Sequence, residues 1–161
     1  MITLRFILNG EDVVTSSSTE ARLVDILRDN FGLRGTKAGC YAGNCSSCSV
    51  IFNGNIAKSC LIPAFKLNDS EIITIEGFSQ TDEYQDIVLG FSEAELENCG
   101  FCNTAKILAT QAFLGRNPKP TKKTILSAFY GIKCRCTEPE ELVNGVQAVI
   151  EYRRLKLYGR R

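Results

Sequence analysis

The sequence contains no histidine, which removes the commonest general base near neutral pH and rules out Rieske-type metal ligation. It also lacks an excess of charge of either sign, with 19 Lys and Arg against 18 Asp and Glu for a formal net charge of +1. No strong field therefore steers the chain to nucleic acid or to an anionic membrane surface, and neither is expected as a partner. There is no phosphate-binding glycine motif of the type G-x-x-x-x-G-K-[ST] and no nucleophile–base pair. No apolar run approaches the length of a membrane span. The stretch MITLRFILNGEDVV breaks its apolar residues at Arg5 and turns polar at Asn9, so it lacks the apolar core of an export signal, and a cytoplasmic location is expected.

Against these absences, eight cysteines in 161 residues are a surplus. Such a surplus means disulfides, metal or redox chemistry, and in a reducing cytoplasm thiols do not stay paired as disulfides. A chain of this length buries a real core and has room for one domain or two small ones.

The periodicity divides the chain. Ile2, Leu4, Phe6 and Leu8 alternate with mostly polar neighbours, and Asn9-Gly10 supplies a tight turn before Val13 and Val14, so residues 2–15 read as a hairpin. Ser18 is a candidate N-cap for a helix whose apolar face is Leu23, Ile26, Leu27 and Phe31, with Gly32 beyond its end. The segment 35–48, GTKAGCYAGNCSSC, has no period and cannot make a core from its own side chains. The strand SVIF, the turn Asn53-Gly54 and a strand over 71–77 complete a small mixed sheet crossed by one helix, a β-grasp pattern. Alternation ends near Gly77, and four helical segments are expected at 83–95, 102–115, 121–132 and 139–156, interrupted by Pro118 and Pro120. The fold class is therefore α+β, with an N-terminal domain over 1–77, a linker over 78–82 and a four-helix domain over 83–161.

The cysteines fall into two sets. Cys40, Cys45, Cys48 and Cys60 have a C-x4-C-x2-C spacing with a fourth cysteine downstream, the spacing of plant-type 2Fe-2S ferredoxins. A cluster with four thiolates is a net anion, so the loop that wraps it must aim backbone N–H groups at the sulfurs, which Gly35, Gly39 and Gly43 permit. Cys99, Cys102, Cys134 and Cys136 form two close pairs, and Cys102 opens a helix whose N-terminus favours an anion. Four cysteines also make a tetrahedral zinc set, which is the alternative at both places.

Taken together, the two sets resemble the small iron–sulfur subunit of the molybdenum hydroxylase family, which includes xanthine dehydrogenase and aldehyde oxidoreductase. The resemblance covers about residues 2–155. It implies a ferredoxin-like domain and a four-helix domain, each holding a 2Fe-2S cluster, with all eight ligand positions present. It also implies that electrons pass from a large molybdopterin-binding subunit to the C-terminal cluster, then the N-terminal cluster, then an FAD-binding subunit. The expected assembly is a cytoplasmic complex of the xanthine dehydrogenase type in which this chain turns over no substrate alone. Asn98 stands where the family commonly has Gln, and the resemblance implies that its amide reaches the pterin of the neighbouring subunit. A free-standing ferredoxin-like carrier and a zinc-stabilised interaction module are the rival readings.

The chain departs from the family at several points. CYAGNCSSC replaces a loop of the kind C-G-E-G-x-C-G-x-C, placing Tyr41, Ala42 and Ser46 where small residues are usual. Any of them held at positive φ would store about 1 kcal/mol or more of strain. After CRCT, Glu138-Pro139 replaces Gly-Tyr, and Pro139 suits a helix first turn. Phe101 is expected to pack over the second cluster and exclude water. Lys122 and Lys123 are expected to be a tolerated exposed pair, and EYRRLKLYGRR a solvated helix end.

Overall fold

The computed structural model describes residues 1–96 and 99–158, the last without its side chain. Strands β1 (Ile2–Leu8), β2 (Glu11–Ser17), β3 (Ser49–Phe52), β4 (Asn55–Lys58) and β5 (Glu71–Ile73) form one sheet in the order β2-β1-β5-β3-β4. β1 runs parallel to β5, and the other pairs are antiparallel. Both hairpins turn where two successive residues take positive φ: Asn9 and Gly10 at 53° and 87°, Asn53 and Gly54 at 48° and 73°. These are the conformations that match the twist of the flanking strands.

Helix α1 (Leu23–Asp29) crosses the sheet, and Leu23, Ile26 and Leu27 pack on Leu4, Phe6, Leu8, Val50 and Ile72. The β-grasp expectation holds. The helix begins four residues later than the Ser18 cap predicts, at Leu23 with Arg22 in the cap position. The Ser18 carbonyl instead accepts from Ala21 N–H at 3.2 Å in a turn, and Arg22, bridged to Pro63, becomes the residue before the helix. β5 is also shorter than the expected 71–77. Thr74 N–H donates to the Asn9 side-chain oxygen at 2.8 Å and the Asn9 amide donates to Thr74 Oγ1 at 3.1 Å. That side-chain pairing takes the place of the next ladder rung, and the chain turns into the short helix α2 (Ile75–Phe78).

Helices α3 (Asp82–Glu93), α4 (Asn103–Leu114), α5 (Lys122–Phe129) and α6 (Pro139–Tyr158) follow, close to the expected ranges. Thr121 caps α5 through a reciprocal pair with Thr124. α3 and α6 approach so closely at Gly90 that a Cβ there would lie 2.6 Å from the Val149 backbone. Asp86 on α3 binds Lys156 at 2.6 Å and Arg153 at 3.5 Å on α6. The expectation of a freely solvated last helix end is thus corrected: two of its cations are anchored, because a carboxylate that is mostly buried on α3 needs them. The helical core of Ile87, Phe91, Ile107, Leu108, Ile125, Val143, Val146 and Val149 also takes in Ile51 of β3, so the helices cover the face of the sheet that α1 leaves open. Among the described residues no helix is long and apolar enough to cross a membrane.

Two candidate metal centres

The loop before β3 presents Cys40 at the surface with its sulfur inside a ring of backbone donors. The N–H groups of Asn44, Cys45 and Ala42 point at Cys40 Sγ from 3.1, 3.3 and 3.4 Å. These hydrogen bonds, that of Cys45 foremost, bring the Cys40 thiol down from 9.0 to about 6. The curl that aims the donors requires positive φ at Tyr41 (52°), Gly43 (68°) and Ser46 (59°). Two of the three non-glycine substitutions in this loop therefore do carry strain, while Ala42 does not. Each strained residue is clamped. Tyr41 Oη donates to Asp25 at 2.7 Å, its carbonyl accepts from Arg22 at 2.8 Å, and the Arg22 guanidinium lies 5.0 Å from its ring. Ser46 Oγ donates to the Gly131 carbonyl, 85 positions away in the helical domain, at 2.7 Å.

Cys48 and Cys60 lie deeper, beneath the loop beside Val24 and Ala38. Ser59 ties their segments together by donating from Oγ and N to the Cys48 carbonyl at 2.7 and 3.2 Å. Burial pushes the Cys48 thiol up to about 11. The Cys40 and Cys45 thiols interact with each other, and so do those of Cys48 and Cys60. Gly39 is required by this packing: a Cβ there would sit 2.6 Å from Ser47 Oγ and 2.8 Å from Cys45 Sγ.

The second set closes the same way. Cys102 is the residue before α4, one position earlier than a first helical residue, and Cys134 and Cys136 lie in the segment joining α5 to α6. The thiols again interact in pairs, Cys99 with Cys136 and Cys102 with Cys134, and the Cys99 charge also reaches Cys102. Backbone N–H groups of Cys102 and Phe101 lower Cys99 to about 7, whereas burial raises Cys102 to about 11. At Cys134 burial works upward, but the Cys136 N–H, the Thr137 hydroxyl and the Lys106 charge outweigh it and the thiol is lowered. Among the described residues no three Cys, His, Asp or Glu side chains close on one point as the ligands of a single ion do. Two pairs at each place suit a binuclear cluster, where each iron takes two thiolates.

Several expectations shift. Phe101 is 53% exposed, because the turn before α4 aims it outward. Lys122 and Lys123 are exposed as expected, and Lys122 also pairs with Glu140 on α6 at 2.5 Å. Pro139 does open α6, and the Glu138 N–H is capped by Glu141 at 2.8 Å. Asn98 lies outside the described residues. Sequence reasoning missed Lys106, fully buried on α4, and Lys58, which donates to Gly43 O and, at 3.4 Å, to Gly131 O. The all-round apolar character of KILATQAF around Lys106 was the available signal for its burial.

Comparison with known proteins agrees with this architecture. The 2Fe-2S iron-sulfur cluster binding domain family matches residues 6–72, and the [2Fe-2S] binding domain family matches residues 74–147. The nicotinate dehydrogenase small FeS subunit of Eubacterium barkeri is 37% identical over 93% of this chain and 96% of its own length. The chain belongs to the small iron–sulfur subunits of the molybdenum hydroxylases. Within that family, the isoquinoline 1-oxidoreductase subunit alpha of Brevundimonas diminuta is 34% identical over 83% of this chain and 88% of its own. In the crystal structure of quinoline 2-oxidoreductase from Pseudomonas putida 86, one chain superposes with a TM-score of 0.82 at 32% identity, covering 95% of this chain and 96% of that one. As a member of this family the chain is an iron–sulfur subunit of an oxidoreductase and is not catalytic alone.

Proposed function

We propose that Cys40, Cys45, Cys48 and Cys60 hold one 2Fe-2S cluster and Cys99, Cys102, Cys134 and Cys136 a second. The observation that carries this is the arrangement of eight thiols as two sets of two interacting pairs. When bound, such clusters supply one-electron transfer with no group transfer. The residues around them do the rest. The N–H groups of Ala42, Asn44 and Cys45 stabilise thiolate charge in a loop, and the start of α4 does so through its free N–H groups. Ser46 and Lys58 tie the first loop to Gly131, three residues before Cys134, which gives the two sites a short connection. Domains at 1–77 and 83–161, joined through 78–82, are the units we assign to the two clusters.

In this reading the chain relays electrons from a large molybdopterin-binding subunit, through the C-terminal and then the N-terminal cluster, to an FAD-binding subunit in the cytoplasm. Exposed apolar side chains support a subunit over a free carrier: Leu61, Phe65, Phe101 and Tyr130 are all more than half exposed, Tyr130 at 89%. Asn98 is assigned the pterin contact on the resemblance alone. The relatives named for nicotinate, isoquinoline and quinoline point to a nitrogen heteroaromatic substrate for the complex, of which the xanthine type is one case. Anaerobically purified protein should be red-brown, with about four iron and four labile sulfide per chain and two distinct EPR signals on reduction. A colourless protein carrying stoichiometric zinc would overturn the assignment. Purification from its source with two larger chains, one containing molybdenum and one flavin, tests the relay.

A further inference from the structure

Among the described residues, Lys106 is the one lysine in the set of largest fully buried side chains, at 0% exposure. Its backbone N–H donates to the Cys102 carbonyl at 3.2 Å, which puts it one helical turn into α4 below that cysteine. Its Nζ donates to Thr137 Oγ1 at 2.9 Å, and Thr137 directly follows Cys136. Lys106, Cys134 and Thr137 line one mostly apolar cavity of about 360 Å³ between α5 and α6. The ammonium is thus enclosed by the same segments that carry the second cysteine set. A fully buried ammonium is retained where polar or negative partners surround it, and four thiolates at this place add negative charge beside it.

We propose that Lys106 is a fixed counter-charge that raises the reduction potential of the C-terminal cluster and holds the Cys134–Thr137 segment against α4. The proposal rests on the assignment of a 2Fe-2S cluster to Cys99, Cys102, Cys134 and Cys136. Reduction adds one electron, delivered in the assembled enzyme by the molybdenum subunit and in a titration by dithionite. One iron passes from Fe(III) to Fe(II), no bond is broken, and the site gains one negative charge. A cation in a low-dielectric surround attracts the more negative, reduced state more strongly than the oxidised one. In the N-terminal set, the lowered Cys40 sulfur is served chiefly by backbone N–H groups.

An EPR-monitored redox titration of the full-length protein tests this, with Cys45→Ser in the background so that one cluster is read alone. Lys106→Met should favour the oxidised state by roughly tenfold or more, about 59 mV downward for a one-electron couple. Lys106→Gln should do the same, and Lys106→Arg should stay near the parent. Thr137→Val removes the hydrogen bond but keeps the charge, so it should move the potential far less than Lys106→Met. An unchanged potential in Lys106→Met at full iron occupancy overturns the proposal, as does a Thr137→Val shift equal to that of Lys106→Met. Loss of the cluster in Lys106→Met and Lys106→Gln but not in Lys106→Arg supports it. Loss in all three assigns Lys106 to packing and overturns it. A parent protein with no EPR signal from this site refutes the cluster assignment instead.

Discussion

Ser46 carries two opposed energies, and two substitutions separate them. It holds φ at 59°, which costs an L-residue about 1 kcal/mol, and its buried hydroxyl donates to Gly131 at 2.7 Å, worth about 1 kcal/mol net. Ser46→Ala keeps the strain and loses the bond, leaving the Gly131 carbonyl to Lys58 at 3.4 Å. Its expected cost is about 1 kcal/mol, more if the carbonyl is left unsatisfied. Ser46→Gly also loses the bond but relieves the strain, so the two changes offset to near zero. The assay is the rate at which visible cluster absorbance disappears with a chelator at fixed denaturant, since cluster loss is irreversible and stability is read as a rate. If the loop opens before the iron leaves, Ser46→Ala should lose absorbance about fivefold faster than the parent and Ser46→Gly within about twofold of it. Equal acceleration in both variants would show that no strain is stored at Ser46. No acceleration in Ser46→Ala would show that the bridge to Gly131 contributes nothing.

Three further outcomes are expected. Cys45→Ser should abolish the N-terminal EPR signal and spare the C-terminal one, and Cys136→Ser the reverse; loss of both signals in either variant would argue for a single shared site. In metal-free protein, mass-spectrometric mapping after a brief iodoacetamide pulse should find Cys40 alkylated once the pH exceeds about 6 and Cys99 above about 7, while Cys48 and Cys102 wait for pH near 11. The sign carries to stability: the lowered Cys40 thiol favours the metal-free fold above its ordinary value of 9.0 and loses that advantage as pH falls through about 6, so equal labelling of all four at pH 7 would refute the donor ring. Gly90→Ala should destabilise the helical domain by several kcal/mol, because the new methyl meets backbone at 2.6 Å rather than a movable side chain, and an unaltered thermal midpoint would refute the close α3–α6 crossing.

What could be read from the sequence was local. Asn9-Gly10 and Asn53-Gly54 act through their own φ angles, and the apolar faces of α1 and of the four C-terminal helices repeat within a turn or two, so the mixed sheet and the helix ranges were legible. Cysteine spacing is equally local and gave both thiol sets. The misreadings came from residues whose partners are far along the chain. Ser18 has the chemistry of an N-cap, but Arg22 is taken by Pro63, which delays the helix. Strand propensity in 71–77 is high, yet Asn9 removes the Thr74 N–H from the ladder. Lys106 is a charged residue that a helical wheel assigns outward, and the return of Thr137 against α4 helps enclose it. Phe101 fails in the opposite direction, since an aromatic between two cysteines reads as packing while the turn exposes it.

Both cysteine sets lower an outer thiol with backbone N–H groups, at Cys40 and at Cys99, and the second adds a helix start and a buried cation. An exposed sulfur such as that of Cys40 can be stabilised cheaply by N–H groups of a curled loop, because water screens what the loop leaves over. At Cys102, as at Cys48, burial raises the thiol instead. A buried anionic site then needs a formal positive charge or a helix N-terminus, and α4 brings both, with its first turn at Cys102 and Lys106 one turn on. Each set also has an outer and an inner side: Cys40 and Cys136 are exposed, Cys48, Cys60 and Cys102 are buried. For a relay this asymmetry is useful, since each site can face a partner subunit outward. Ser46 and Lys58 tie the first loop to Gly131, three residues before Cys134, so hydrogen bonds already link the two parts of the chain there.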